Sequence, residues 1–314
     1  METKTSTTEE YKSTILCNNK KTKYLKLKGG FFNPPFFREK EKIMTQLISP
    51  EKFTKTVDLL RSFFLRKGFL EVHTQNRLSI LAACEDPFNV ATYNYAGQVW
   101  PLPQTGQMWL EHELLSAPNS KGFFCVSTSY RQEPNAIPGR HDIIFPMFEF
   151  EMPGNIDDLK SMEYELVEYL GFDRPTEMTY GGWQTHFDVE GELTAEHETA
   201  MYDKFGSCMI TDFPEFTSPF WNMSRNPTVD TSKKIDVILG GMETIGSAER
   251  STDVDQMRDT FHTITNGEYS KLLFDLFGKD RVEAELETFL KFDFFPRVGG
   301  GIGMTRMIAA LDKN

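Results

Sequence analysis

Cysteine is scarce in this sequence, and the few cysteines lie far apart. The 314 residues include four of them, at positions 17, 84, 125 and 208. None forms a Cys-x-x-Cys pair, and no spacing is typical of a zinc site. The sequence therefore offers no sign of a disulfide framework or a structural zinc, and we expect reduced thiols in a cytosolic protein.

Long apolar segments are also missing. No run approaches the roughly 18–20 apolar residues that a membrane span needs, and the N-terminus METKTSTTEEYKSTILCNNKK lacks the apolar stretch of a secretory signal. These absences argue against a membrane protein and against a secreted one. We expect a cytoplasmic location and no membrane partner.

Basic residues are outnumbered, with 34 Lys and Arg against 46 Asp and Glu and a formal net charge of −12. Proteins that grip nucleic acid through its phosphates usually present a basic face. Here the basic clusters lie only near residues 20–28 and 38–42. We expect no nucleic-acid partner, whereas a small anion can still bind where arginines are concentrated locally.

Apolar and aromatic residues are plentiful, at 39% and 13% of the chain, enough for a sizeable core. Residues 1–45 are polar and then rich in Gly, Phe and Pro, without periodicity, and we interpret them as an extension. Residues 46–314 are predicted to form the folded unit. Its first helix is predicted from Ser49 as N-cap, Pro50 in the first turn and Gly68 as the stop.

Short strand-like runs joined by turns alternate with helical patterns after this first helix. The sequence predicts strands at FLEVHT, FFCVSTSY, IIFPMFEFEM, SCMITDFP, KIDVILGG and METIGSAER. It predicts helices at DLKSMEYELVEYLG, TAEHETAMYDKFG, DVDQMRDTFHTIT and RVEAELETFLKF. Neighbouring strands with short connections favour an antiparallel sheet flanked by helices, which is an α+β fold.

Two stretches contain arginines that suit an anion. SYRQEPNAIPGRHDIIF places two arginines and a histidine around a Pro/Gly-broken loop, and GGGIGMTR (Gly299 to Arg306) is predicted to be a Gly-rich turn ahead of a helix. Glycines allow close approach to a ligand, and helix N-termini favour anions. The alternatives are an exposed hairpin tip and an ordinary turn.

Two further stretches contain carboxylates. KIDVILGGMETIGSAER places Asp236 and Glu243 around a Gly-Gly break, an arrangement that suits Mg²⁺ held between protein and nucleotide, with Arg250 in the same cleft. In QTGQMWLEHELL, Gln107 and Glu111 lie four residues apart on one helix face. Alternatively, Asp236 caps a turn, Glu243 and Arg250 pair on a surface, and Glu111 is solvated.

Taken together and in this order, these stretches resemble the catalytic core of class II aminoacyl-tRNA synthetases, specifically the aspartyl/asparaginyl branch. YRQEPNAIPGRHDIIF looks like the second motif of that class, GIGMTR like its third, and KGFLEVHT like the first, dimer-forming motif. QTGQMWLE, PFWNM and DVILGGMETIGSAER also resemble branch patterns. The resemblance covers residues 53–311 and implies a class II-like antiparallel sheet.

The resemblance implies an ATP site on the second motif. Arg131 would bind the α-phosphate, and Glu133 would lie near the adenine or the acceptor. Arg140 and His141 would hold the outer phosphates, while Phe145 would stack on the adenine.

The third motif and the carboxylates would complete that site, by the same resemblance. Arg306, with Gly301 and Gly303 before it, would clamp the γ-phosphate, while Asp236 and Glu243 would hold Mg²⁺. Arg131, Arg306 and Glu243 would then be the catalytic residues, since adenylation moves charge onto pyrophosphate.

The amino-acid substrate would contact Glu85, Gln107, Glu111 and Arg250. Aspartate-binding members of the branch usually have a lysine at the position of Leu110. Leu110 and Glu111 resemble instead the asparagine-binding version, in which the glutamate faces the amide. Glu111 would then bind ammonium or the product amide while Arg250 holds the carboxylate, or else the substrate is not aspartate.

The favoured function is an AMP-forming ligase that makes asparagine from aspartate and ammonia. Fewer than 50 residues precede the predicted core, too few for an anticodon-reading β-barrel. Thr305 before the final arginine also resembles free-standing asparagine synthetases. One alternative is an amino-acid-activating paralogue with another acceptor, such as a tRNA, a peptide or a metabolite, and another is a non-catalytic sensor. By resemblance, the first helix and the strand after it imply a homodimer.

Overall fold

The computed structural model describes residues 47–75, 78–81, 87–132, 140, 142–217 and 219–314. Glu85, Glu133, His141 and the predicted boundary near residue 45 lie outside this part of the chain. The described helices are α1 Pro50–Arg66, α2 Gln107–Ser116, α3 Ile156–Tyr169, α4 Tyr180–Phe187, α5 Ala195–Phe205, α6 Val254–Thr263, α7 Glu268–Phe277, α8 Lys279–Phe289 and α9 Met304–Lys313. The described strands are β1 Leu70–Glu71, β2 Thr92–Tyr95, β3 Gln98–Pro101, β4 Phe123–Tyr130, β5 Ile144–Pro153, β6 Thr176–Thr179, β7 Cys208–Pro214, β8 Thr231–Leu239, β9 Met242–Glu249 and β10 Arg297–Gly303.

Eight of these described strands form one sheet in the order β1-β4-β5-β10-β9-β8-β7-β6. Adjacent strands are antiparallel except at the two edges, where β1 pairs with β4 and β6 with β7 in parallel. Strands β2 and β3 form a separate hairpin. The sheet and its flanking helices confirm the predicted α+β fold. Along the described parts of the chain, no helix has both the length and the apolar character needed to cross a lipid bilayer.

One face of the sheet is apolar and is covered by α1, α3 and α9. Side chains of these helices form one core with the inward residues of the strands, among them Phe148 and Phe150 of β5. The ring of Phe64 on α1 lies 5.1 Å from each of these two rings, measured between centroids. Because side chains alternate along a strand, Met147, Glu149 and Glu151 of β5 lie on the opposite face.

Helix α1 is capped as its sequence predicts. The Ser49 side chain accepts from the backbone N–H of Lys52 at 3.4 Å, and Gly68 after the helix has a φ of +85°. The apolar residues Val57 and Leu60 are buried in the core of the same chain. These side chains are therefore used within the chain, and the homodimer stays a prediction.

The predicted Gly-rich turn at Gly299–Gly303 is wrong. These glycines belong to β10, a central strand between β5 and β9, and α9 begins directly after them. A Cβ on Gly299 would lie 1.7 Å from Glu151 Oε2, and one on Gly300 would lie 2.5 Å from Ser247 Cβ. Glycine is needed here because neighbouring side chains lie across the strand, and a local pattern does not distinguish that need from a turn.

A buried carboxylate lies under the sheet. Glu163 of α3 is fully buried, and its Oε1 accepts from the Ser247 hydroxyl at 2.5 Å. Burial raises the pKa of Glu163 from 4.5 to about 8; the Ser247 hydrogen bond lowers it and the charge of Asp236 raises it further. The folded protein therefore holds a proton at Glu163 at neutral pH.

This proton makes stability depend on pH. Between about pH 5 and pH 8, an unfolded chain with an ordinary glutamate binds fewer protons than the folded chain, so the unfolding free energy of the wild type falls as pH rises. Glu163→Gln removes this term. We expect the unfolding free energy of the variant, relative to wild type, to rise by up to about 1.4 kcal/mol per pH unit. Urea denaturation at several pH values measures it, and a constant difference would contradict the assignment.

Candidate functional site

The polar face of the sheet carries a row of directly paired residues on five neighbouring strands. Cys125, Glu149, Gly301, Gly246 and Asp236 follow one another across β4, β5, β10, β9 and β8. The two central positions lack side chains, whereas a carboxylate flanks them on each side. We call these two glycine positions, Gly301 and Gly246, the bare floor. The carboxylates of Glu149 and Asp236 lie on either side of it.

Arg131 lies where β4 ends, at the rim of this floor. Its backbone N–H donates to the Ile143 carbonyl at 2.8 Å, which closes the pairing with β5. Its guanidinium carbon lies 5.5 Å from the centroid of the Phe145 ring. The positive charge of Arg131 lowers the pKa of both Glu149 and Glu243, so it is directed at the carboxylates of the floor.

Arg140 and Arg306 meet on the other side of the floor. Arg306, in the first turn of α9, donates from Nη1 to the Glu243 carbonyl at 2.7 Å and from Nη2 to the Arg140 carbonyl at 3.5 Å. The Arg140 guanidinium pairs with Glu198 of α5. The carboxylate of Glu198 also accepts from the backbone N–H of Glu243 at 2.9 Å. These contacts bring three segments distant in the chain to one place.

Asp236 and Glu243 lie on the hairpin of β8 and β9, as predicted. A Cβ on Gly246 would lie 2.7 Å from Glu243 Oε1 and 3.5 Å from Asp236 Oδ1, so both carboxylates use the space that this glycine leaves. Asp236 Oδ2 accepts from Lys234 Nζ at 2.9 Å. Asp236 Oδ1 is buried and has no hydrogen-bond partner among the described residues.

The two carboxylates have opposite pKa shifts. Burial raises the pKa of Asp236, with Glu243 adding to the rise and Lys234 opposing it. Burial also acts to raise the pKa of Glu243, but it is outweighed by the charges of Lys234, Arg306, Arg131 and Arg140, so the net shift is downward. Two carboxylates this close do not both ionise readily without a further cation.

Helix α9 also holds the turn of this hairpin. Lys313 Nζ, in its last turn, donates to the Gly240 carbonyl at 2.6 Å. Gly240 and Gly241 form the turn with φ values of +59° and +85°, a region that favours glycine. The helix therefore contacts the hairpin at two points, through Arg306 near its start and Lys313 near its end.

Glu149 is held by the loop that leads into α2. Its carboxylate accepts from the Gly106 backbone N–H at 2.9 Å and from the hydroxyls of Thr105 and Ser127. Burial raises the pKa of Glu149 to about 7, while the hydrogen bonds from Ser127, Gly106 and Cys125 and the charge of Arg131 act to lower it. The carboxyl group of Glu149 therefore has a pKa above the usual range of a glutamate.

Four buried charged side chains, Glu111, Glu151, Arg250 and Arg297, form what we call the charged cluster. Arg297 donates to Glu111 Oε2 from Nη2 at 2.7 Å and from Nε at 3.0 Å. Arg250 contacts the two oxygens of Glu151, each at 3.4 Å. All four are at most 2% exposed. Two positive and two negative charges leave the cluster neutral.

Several predicted residues are brought together here and others are not. Gln107 and Glu111 share one face of α2, as predicted, and Gln107 Nε2 donates to Glu151 and to the Phe150 carbonyl, the latter at 3.3 Å. Arg250, expected in the cleft of Asp236 and Glu243 or in a surface pair with Glu243, instead contacts Glu151 in the charged cluster. Glu85, Glu133 and His141 lie outside the described residues.

Five polar residues of the site were missed by the sequence analysis: Glu149, Glu151, Glu198, Lys234 and Arg297. The alternation in FEFEM carries a signal for two of them, because residues two apart share one face of a strand. The same spacing relates Lys234 to Asp236. Arg297 and Glu198 have no local signal, since their partners come from distant segments.

The comparisons with known proteins agree with this fold. A family model for class II tRNA synthetases (D, K and N) matches residues 40–314. The asparaginyl-tRNA synthetase from Pyrococcus horikoshii, solved with asparaginyl-adenylate, is 18% identical, with a TM-score of 0.70 over 84% of this chain and 64% of that one. The Entamoeba histolytica asparaginyl-tRNA synthetase, also solved with asparaginyl-adenylate, is 18% identical, with a TM-score of 0.67 over 83% and 63%.

At this identity, the structural likeness shows the fold alone. This chain spans less than two thirds of the length of either solved protein. The sequence search among curated proteins returned no match. The family model shows the family to which this chain belongs, and the two structures show its fold.

The glycines of β10 lead to a prediction about stability. Gly299→Ala places a methyl group on the Glu151 carboxylate and the Phe150 carbonyl, so we expect the unfolding free energy to drop by about 3 kcal/mol. Gly181→Ala on α4 is the control, because its Cβ would meet nothing within 4 Å. It should raise stability by at most about 1 kcal/mol. Equal effects in thermal denaturation would contradict the close approach at Gly299.

Proposed function

Because this chain belongs to the class II tRNA synthetase family (D, K and N), we propose that it activates an amino acid with ATP, and more specifically that it is an AMP-forming ligase making asparagine from aspartate and ammonia. Enzymes of this family use ATP and Mg²⁺. The observation that carries the proposal is that the Arg306 guanidinium lies 3.7 Å from a carboxylate oxygen of Glu243 and donates to the Arg140 carbonyl, with Asp236 on the same hairpin as Glu243.

The three arginines are placed to hold a bent triphosphate. Arg131 stands beside Phe145, whose half-buried ring offers a stacking surface for the adenine, and it would bind the α-phosphate. Arg140 and Arg306 lie together across the floor and would hold the outer phosphates. Glu198 neutralises Arg140 in this structure, and phosphate oxygens would take its place. Such preorganised charges stabilise the pyrophosphate as it leaves.

The carboxylates of the hairpin fit Mg²⁺. Asp236 Oδ1 has no partner among the described residues, and Gly246 leaves room beside it for Glu243. No group of three candidate ligands is placed to hold a metal within the described residues, which suits an ion that completes its shell with water and substrate phosphates. Bound there, Mg²⁺ would neutralise charge on the phosphates, and Asp236 and Glu243 would hold it.

Asparagine synthesis determines which carboxylate reacts. The amide of asparagine is on the β-carbon, so an oxygen of the β-carboxylate attacks the α-phosphorus and the bond to pyrophosphate breaks. Ammonia then attacks the acyl carbon, the carbon–oxygen bond to AMP breaks, and the nitrogen loses one proton. Arg131 would orient the attacked phosphate, and Arg250 would hold the other carboxylate. Positioning supplies much of the rate, without a covalent enzyme intermediate.

Thr305 supports ammonia as the acceptor. It precedes Arg306 at the position where tRNA-charging enzymes of the branch usually have glutamate, and it resembles the free-standing asparagine synthetases there. Thr305 lines a cavity of about 280 Å³ together with Arg140 and Arg306. Lys52 of α1 and Asp312 of α9 also line this cavity, and the uncharged side chain of Thr305 is the feature that resembles the free-standing enzymes.

The proposed activity is measured by AMP release. With ATP, Mg²⁺ and aspartate, we expect AMP and asparagine to form only when ammonia is added. Pyrophosphate exchange with an amino acid but without turnover on ammonia would indicate another acceptor, such as a tRNA, a peptide or a metabolite. No product with any amino acid and ammonia would contradict the ligase.

Arg306→Gln tests the phosphate role of this residue. We expect adenylate formation to fall by roughly 100-fold or more, because a charged donor to the developing pyrophosphate is lost. Arg306 also donates a hydrogen bond to the hairpin. The matched control is therefore Lys313→Gln, which removes the hydrogen bond from Lys313 of α9 to the same hairpin and should retain most activity. Pyrophosphate exchange and circular dichroism measure activity and folding. Equal losses in both variants would show that anchoring, not phosphate binding, matters.

A further inference from the structure

Lys234 of β8 lies on the same face of the sheet as Asp236, because side chains two residues apart on a strand share a face. Its Nζ donates to Asp236 Oδ2 at 2.9 Å. The ammonium group also lies 4.0 Å from the centroid of the Phe213 ring on β7. A carboxylate and an aromatic ring thus hold this positive charge beside the proposed metal ligands.

The two oxygens of Asp236 have different surroundings. Oδ2 accepts from Lys234, whereas Oδ1 has no hydrogen-bond partner among the described residues. Asp236 Oδ1 and Glu243 Oε1 both lie near Gly246, at 3.5 and 2.7 Å from the position that a Cβ would take there. Asp236 therefore binds the lysine through one oxygen and leaves the other for the proposed Mg²⁺.

The charge of Lys234 also acts on Glu243. Burial acts to raise the pKa of Glu243, and the ammonium of Lys234 exerts the largest opposing effect, ahead of Arg306, Arg131 and Arg140. The side chain of Lys234 is 25% exposed, so this charge also acts on anions that approach from solvent. Lys234 therefore belongs to the cations that determine what binds beside the hairpin.

We propose that Lys234 takes the place of one divalent cation in the phosphate site: it neutralises Asp236, so that the outer phosphates of a nucleoside triphosphate bind beside the hairpin with a weaker requirement for Mg²⁺. This inference rests on the proposed ATP site. The carboxylates of Asp236 and Glu243 would repel a polyphosphate unless cations lay between them. Lys234 is a positioning residue, since it acts through Asp236 and not on a reacting atom.

Two substitutions remove the charge and keep different contacts. Lys234→Gln retains an N–H donor for Asp236, and Lys234→Met retains an apolar side chain beside Phe213. In both variants, Asp236 and Glu243 would face the phosphates with one positive charge fewer. The missing charge would have to come from Mg²⁺, so ATP binding would depend on the metal more strongly. Lys234→Arg keeps the charge and should behave as the wild type does.

The experiment measures ATP dissociation constants of the full chain by calorimetry, without amino acid, in EDTA and in saturating Mg²⁺. The ratio of the constant in EDTA to that in Mg²⁺ reports the metal requirement, and formation of Mg-ATP in solution affects every variant equally. We expect Lys234→Gln and Lys234→Met to raise this ratio by at least about tenfold over wild type, because one unit charge close to the carboxylates is lost. Lys234→Arg should stay within about threefold of wild type.

Lys233→Gln is the matched control. This neighbouring lysine is 24% exposed and pairs with Glu249 at 2.6 Å, and it lies on the opposite face of β8 because side chains alternate along a strand. The substitution therefore removes the same charge from the same strand but outside the site. Its ratio should stay within about threefold of wild type.

A purely structural role for Lys234 would weaken ATP binding equally with and without Mg²⁺, and an unchanged ratio in Lys234→Gln and Lys234→Met would overturn the inference. An equal rise in Lys233→Gln would also overturn it, because net charge alone would then explain the effect. Circular dichroism checks folding, and either charge-removing variant suffices if the other does not fold. Failure of the ligase is separate: ammonia-dependent AMP release would be absent in the wild type while the ratio still responds to Lys234.

Discussion

This site depends on the pairing of carboxylates with guanidinium groups over the glycines of β10. Gly299 and Gly301 of β10 leave space that Glu151 and its neighbours occupy, and buried carboxylates in that position need cations because the surrounding medium is poorly polarisable. Arg250 and Arg297 supply these cations to Glu151 and Glu111, while Arg131 and Arg306 lie on opposite sides of the floor. The sheet thus positions oppositely charged side chains, and we expect the substrate to bind between the two groups of charged residues.

The net charge of −12 does not conflict with an anion site. The arginines of the site are Arg131 at the end of β4, Arg140, and Arg306 in the first turn of α9. They come together only in the folded chain. Lys234 and these arginines together lower the pKa of Glu243 against the effect of burial. Local placement, and not overall balance, therefore decides what the site attracts.

Local patterns predicted much of the fold, because caps, alternation and turn glycines act over a few residues. Ser49 and Gly68 delimit α1, FFCVSTSY coincides with β4, and the break at Gly240 separates β8 from β9. The glycines of β10 were wrongly predicted to form a turn. Glycine is required there because residues of β5 and β9 lie close to the strand, and these contacts are distant in the sequence. Arg297 was missed for a similar reason: its partner Glu111 is 186 positions away in the chain, and nothing local distinguishes it from a surface arginine.

The two contacts between α9 and the β8–β9 hairpin have a mechanical consequence. Arg306 donates to the Glu243 carbonyl just after one tight turn and Lys313 to the Gly240 carbonyl within it, so the position of the C-terminal helix is tied to that of the hairpin. A change that displaces this helix would therefore also displace the hairpin that carries Asp236 and Glu243.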